Sequence, residues 1–146
     1  MLDLEKVLEC SKDLKLLYVE DNQDSREVTA MMLEDFFKEV ILAVDGEDGL
    51  EKFVKSNDID FVLTDINMPK LDGISLCRKI REINKVVPIV ILSAHNEKNY
   101  YDESKSIGAN GYLLKPIDIE QLAEMIYKVI KNGNYNENST KKPNVI

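Results

Sequence analysis

A chain of 146 residues with 44% hydrophobic residues suits one packed core and is too apolar for wholesale disorder. Its 27 acidic residues outnumber 19 basic ones, a formal net charge of −8 that disfavours direct nucleic-acid binding but leaves room for docking to a protein with a basic face. Cys10 and Cys77 are too few for a disulfide framework, and Met1 to Cys10 carries Asp3, Glu5 and Glu9 and so is no signal peptide. No apolar run approaches the roughly 20 residues that cross a bilayer, so the expectation is a soluble cytoplasmic protein without membrane contact.

In chain order, Leu4, Val7 and Leu8 offer either one short amphipathic helix or a frayed leader over residues 1–13, with the leader preferred. The apolar run Leu16-Leu17-Tyr18-Val19 then meets Glu20-Asp21 and reads as a buried strand. Val28, Met31, Met32 and Phe36 follow at helical spacing and predict one buried helix face. Glu39 to Val44 reads as a second strand, closed by Asp45-Gly46. A short helix through Leu50, Phe53 and Val54 leads to a third strand, Phe61-Val62-Leu63-Thr64, which ends in Asp65. Leu76, Ile80 and Ile83 mark the next helix, stopped before Pro88. Ile89-Val90-Ile91-Leu92 ends in Ser93, and a polar helix is predicted from Asn96 to Ile107 with Gly108 as its stop. Tyr112-Leu113-Leu114 ends in Lys115-Pro116, and Ile119, Leu122, Ala123, Ile126 and Ile130 give the clearest helical stripe. Residues 132–146 hold little to bury and read as a disordered tail or a linker to an output domain.

Strand and helix alternate five times, which predicts a doubly wound α/β fold with a parallel sheet covered on both faces. In such sheets ligands sit beyond the carboxyl ends of the strands. Four successive strand ends here carry Glu20 and Asp21, Asp65, Ser93, and Lys115. Each has a bland reading alone: a helix cap for Asp21, a turn hydroxyl for Ser93, a solvated amine for Lys115. Their joint occurrence argues for chemistry. Two carboxylates about 4 Å apart repel by ~4 kcal/mol at an effective dielectric of ~20, so such a cluster calls for a cation. Mg²⁺ suits it, being hard and oxygen-seeking, and it keeps several waters. Asp65 is then the candidate nucleophile toward phosphorus, forming an acyl phosphate. Mg²⁺, the Lys115 ammonium and the Ser93 hydroxyl would neutralise or bond the phosphoryl oxygens.

The motifs Val19-Glu20-Asp21-Asn22, Thr64-Asp65-Ile66-Asn67-Met68-Pro69, Asp72-Gly73, Leu92-Ser93-Ala94 and Tyr112-Leu113-Leu114-Lys115-Pro116 fall in one order over the chain. From about Lys15 to Lys131 it resembles a receiver domain of a bacterial two-component response regulator, setting that domain at residues 14–131. The resemblance implies a flavodoxin-like five-stranded sheet of order 2-1-3-4-5 and Asp65 as phosphoacceptor. It implies Mg²⁺ bound through Asp21, Asp65 and the main-chain carbonyl of Asn67, with Glu20 acting through water. It also implies a switch in which phosphate draws Ser93 inward and Tyr112 follows into the vacated space. The fourth and fifth helices of the repeat and the fifth strand would then change their surface. A histidine kinase or phosphotransfer protein would be the donor, and a downstream protein or fused output domain the target. Monomer and homodimer both stay open. His95 lies near the phosphoryl position in the resemblance, but an exposed loop residue is the preferred reading. Ser93 stands where many relatives carry Thr.

Three rivals stand beside this reading. An aspartate-nucleophile Mg²⁺-dependent phosphatase would carry a second Asp two residues after the nucleophile, where this chain has Asn67. A flavin-binding protein would have a hydroxyl- and glycine-rich loop where Glu20-Asp21-Asn22-Gln23-Asp24 stands. A receiver-like scaffold that never takes phosphate sits poorly with the complete residue set. The expected protein is a signalling switch with slow self-dephosphorylation, not a turnover enzyme. Lys115, at a sheet edge, is expected to matter little for folding.

Overall fold

The computed structural model describes residues 3–94 and 98–132. The tail beyond residue 132 and the loop residue His95 lie outside them. Every strand of the repeat forms: β1 Lys15–Val19, β2 Glu39–Ala43, β3 Phe61–Asp65, β4 Ile89–Ser93 and β5 Gly111–Leu114. They pair in parallel in the order β2-β1-β3-β4-β5, as expected. Five helices follow the strands: α2 Gln23–Leu33, α3 Gly46–Ser56, α4 Gly73–Ile83, α5 Lys98–Ser106 and α6 Ile119–Asn132.

Alternate residues of each strand face opposite sides, so the sheet divides the interior in two. Leu16, Tyr18, Phe61, Leu63, Val90, Leu92 and Leu113 pack with Leu33 of α2 and Leu122, Ala123, Ile126 and Val129 of α6. Leu17, Val19, Val62, Ile89, Ile91 and Tyr112 pack on the other side with Phe53 of α3 and Ile74, Leu76, Cys77 and Ile80 of α4. Strands buried on both faces explain the unbroken apolar runs of the sequence.

The chain departs from expectation before β1 and along several helix faces. The segment before β1 is a helix, α1 (Leu4–Ser11), and not a frayed leader. Asp3 caps it by accepting the Glu5 N–H at 3.0 Å. Val7 is fully buried in the core shared with α6, and the Ser11 hydroxyl reaches the Phe36 carbonyl at 2.5 Å. In α2 the buried face is Thr29, Ala30 and Leu33, while Val28 and Met31 are 60% and 69% exposed. The two stripes lie side by side on the helix. Phe36, the last residue of the expected face, is buried in the core. Ile83 likewise sits at the end of α4 with its side chain 58% exposed.

Candidate functional site at the carboxyl ends of the strands

β1 and β3 are hydrogen-bonded neighbours, with Val19 opposite Thr64, so the residues that follow each strand emerge together. Carboxylate oxygens of Glu20, Asp21 and Asp65 lie within 4.8 Å of one another. β4 sits on the far side of β3, with Leu92 opposite Asp65, so Ser93 lies one step beyond the acid. β5 joins β4, and the Lys115 N–H donates to the Ser93 carbonyl at 2.8 Å. All four strand ends therefore contribute to one place. Lys115-Pro116 is a cis peptide bond.

Backbone donors fix the acids. The Asn22 N–H donates to Glu20 Oε2 at 3.1 Å, and the Ile66 N–H donates to Asp65 Oδ1 at 2.9 Å. The cap of α2 is Asn22, whose Oδ1 accepts from the Ser25 N–H at 2.9 Å. Asp21 is thereby spared from capping and stands exposed at the mouth of the cluster. The bland reading for Asp21 fails on this geometry.

Lys115 holds the opposing charge. Its Nζ lies 2.6 Å from Glu20 Oε1 and 3.3 Å from Asp65 Oδ2. Glu20 is only 1% exposed, so its charge has lost most of its water and depends on this partner. Burial lowers the Lys115 pKa, but the hydrogen bond to Glu20 and the charges of Asp65 and Glu20 outweigh it and hold the ammonium above its ordinary range. Asp65 shows the opposite imbalance. Burial, then the neighbouring Glu20 charge, push its carboxyl up to about 6, with Lys115 and the Ile66 amide pulling back. Partial burial and the adjacent Glu20 also raise Asp21. One ammonium thus leaves the three acids under-neutralised.

This donor set fits Mg²⁺: it is all oxygen, without His or Cys, and it combines two pinned carboxylates with one exposed acid that leaves an open face. Asn67 is exposed two residues beyond Asp65, in the β3–α4 loop. Ser93 and Tyr112 are each 1% exposed. The Tyr112 ring packs edge-on against Tyr101 of α5, with centroids 5.8 Å apart at 76°. Tyr112 thus already lies inside in this arrangement.

Two contributors were not singled out in the sequence. A Cβ on Gly73 would come 1.9 Å from the carbonyl oxygen of Asp65, so only glycine lets α4 start against the end of β3. The signal was present in Asp72-Gly73, read only as a motif. Arg26 is the second; its Nη1 donates to the Glu20 carbonyl at 2.7 Å and to that of Asp21 at 3.4 Å.

The sequence model of the response regulator receiver domain matches residues 16–127. The chain belongs to that family. This receiver is 34% identical over 119 residues to the chemotaxis protein CheY of Treponema pallidum, covering 80% of this chain and 83% of that protein. It is 36% identical over 119 residues to the response regulator ArlR of Staphylococcus saprophyticus, covering 80% of this chain and 52% of that protein. The receiver thus spans about half the length of ArlR and most of CheY. Among solved structures, the response regulator receiver domain protein from Clostridium thermocellum superposes with a TM-score of 0.76 at 31% identity, over 82% of this chain and 96% of that one. A chain of the CheX-CheY-BeF3-Mg²⁺ complex from Borrelia burgdorferi superposes with a TM-score of 0.76 at 26% identity, over 81% and 90%. Receivers are signalling proteins and not conventional enzymes. Among the described residues no helix is long and apolar enough to cross a membrane.

Proposed function

We propose that this receiver accepts a phosphoryl group on Asp65 from a phosphohistidine donor, a histidine kinase or phosphotransfer protein, in a Mg²⁺-dependent reaction. The observation that carries this is the convergence of Glu20, Asp21 and Asp65 within 4.8 Å with the Lys115 ammonium 3.3 Å from Asp65 Oδ2. The donor set and the raised Asp65 carboxyl support a divalent cation held by Asp21, Asp65 and the Asn67 carbonyl, with Glu20 acting indirectly. When bound, Mg²⁺ would neutralise phosphoryl oxygens and favour the ionised carboxylate.

The chain's own residues do the rest. Oδ1 of Asp65 accepts the Ile66 N–H and Oδ2 faces the Lys115 ammonium, and Oδ2 would be the attacking oxygen. As Oδ2 bonds to phosphorus, the bond from phosphorus to the donor imidazole breaks and its electrons stay with the imidazole nitrogen. Lys115, 3.3 Å from Oδ2, would move its charge onto the incoming phosphoryl oxygens, and Ser93 would donate a hydrogen bond to another. Asn67 at the position of a phosphatase's second Asp favours a lasting acyl phosphate, lost by slow hydrolysis. Since Ser93 and Tyr112 are already buried, the phosphoryl group would act by holding them there and fixing the surface of α5, β5 and α6. A downstream protein or an output domain would read that surface.

The test is intact mass after incubation with Mg²⁺ and acetyl phosphate. One added phosphoryl group is expected on the parental chain and none on Asp65→Asn. Equal labelling of both would move the acceptor elsewhere.

A further inference from the structure

Arg26 sits where a cation is locally disfavoured. α2 begins at Gln23, and the free N–H groups of its opening turn make that end of the helix positive. A residue that breaks a local preference invites a search for what it gains. Arg26 is half-buried, and its Nη1 donates to the carbonyls of Glu20 at 2.7 Å and Asp21 at 3.4 Å. Those carbonyls belong to the two residues whose carboxylates meet Asp65.

The sheet gives out at this point. The last rung between β1 and β2 is the Glu20 N–H on the Ala43 carbonyl at 3.1 Å. One residue further on, the Val44 N–H turns away to the Asp48 carboxylate at 3.0 Å. The turn that carries both acids therefore leaves the ladder, and one guanidinium nitrogen, Nη1 of Arg26, takes hold of its carbonyls instead. The Glu20 carbonyl belongs to the peptide plane between Glu20 and Asp21 and the Asp21 carbonyl to the next, so together with the Glu20 N–H on Ala43 the planes on both sides of each Cα are held, and with them the directions of the two side chains.

We propose that Arg26 is a positioning residue of the cation site: through the backbone of Glu20 and Asp21 it holds both carboxylates in the arrangement a divalent cation needs. This rests on the Mg²⁺ reading above. The alternatives make opposite or separate predictions. Acting by charge alone, Arg26 would repel Mg²⁺, and its removal would tighten binding. As a staple of the fold alone, it would lower stability and leave affinity unchanged.

The experiment is calorimetric titration of MgCl₂ into the full chain, into Arg26→Met and into Arg26→Lys, with denaturant midpoints measured in EDTA. Arg26→Met is expected to weaken Mg²⁺ binding by about 10- to 100-fold, the range for loss of a residue that orients metal ligands. Arg26→Lys keeps the charge and its donors but places them on a shorter, more mobile stem, and falls between. Unchanged or tighter binding by Arg26→Met overturns the proposal, as does a lowered midpoint with affinity intact. Should Arg26→Met fail to fold, Arg26→Lys decides, and affinity equal to the parental chain overturns it. A parental chain that binds no Mg²⁺ overturns the proposed function itself, and Arg26's role with it.

Discussion

At the scale of single residues, Lys115 joins stability to chemistry. Its amine was expected to matter little for folding because it stands at a sheet edge. Its partner Glu20, however, is buried at 2.6 Å. Lys115→Ala leaves that carboxylate without its cation beside two like charges, at a cost of about 2–3 kcal/mol in EDTA. The check is a denaturant midpoint that falls in EDTA and recovers in part with Mg²⁺; an unchanged midpoint would contradict the pairing. Gly73→Ala acts through the backbone. Its Cβ would press on the Asp65 carbonyl at 1.9 Å, so the end of β3 must shift. Overpacking of this kind costs about 1–3 kcal/mol, and phosphoryl labelling is expected to fall more steeply than stability, because the displaced residue is the proposed acceptor. The strand-end residues Glu20, Asp21, Asp65, Ser93 and Lys115 were legible in the sequence because a parallel sheet sends each of its carboxyl ends to one edge. The grip of Arg26 was not, since it reaches main-chain carbonyls, which have no signature of their own.

At the scale of elements, the strands were read well and the helix faces less so. Four continuous apolar runs read as strands buried on both sides and Glu39 to Val44 as a fifth; all five formed, and β2, at the sheet edge, is only partly buried. A helix face must instead be chosen among neighbouring stripes 100° apart. In α2 the expected face split: Val28 and Met31 point outward, while Thr29, Ala30 and Leu33 are buried, as is the expected Phe36 beyond the helix. For the segment that forms α1, a short helix and a frayed leader both stood open, with the leader preferred. Val7 alone is fully buried, and the Asp3 cap and the Ser11 bond to Phe36 complete the attachment. Val7→Ala is expected to cost about 2 kcal/mol, a fall in Tm of roughly 4–8 °C for a chain of this size. A change of under a degree would mean that α1 is not docked in solution.

At the scale of the whole molecule, the fold concentrates unbalanced negative charge at one sheet edge, and pH reports on it. Asp65 is raised from 3.8 to about 6, so protonation favours the folded state. That contribution is fully present below about pH 4 and is lost as pH rises through about 6. Mg²⁺ needs the ionised carboxylate. The gain in Tm on adding Mg²⁺ is therefore expected to be small at pH 5 and clearly larger at pH 7.5; equal gains at both would contradict the linkage. The fold and the place of the site follow from alternation and topology. The donor, the target and the lifetime of the acyl phosphate depend on surfaces and loop residues whose pattern carries no periodicity, and they call for experiment. Borohydride trapping reads out which acid bears the phosphoryl group, expected to be Asp65. Reduction of an aspartyl phosphate leaves homoserine in place of the acid. Peptide mapping after treatment with Mg²⁺ and acetyl phosphate should find homoserine at position 65 and nowhere else. Homoserine at another acid, or none while label is retained, would contradict the account.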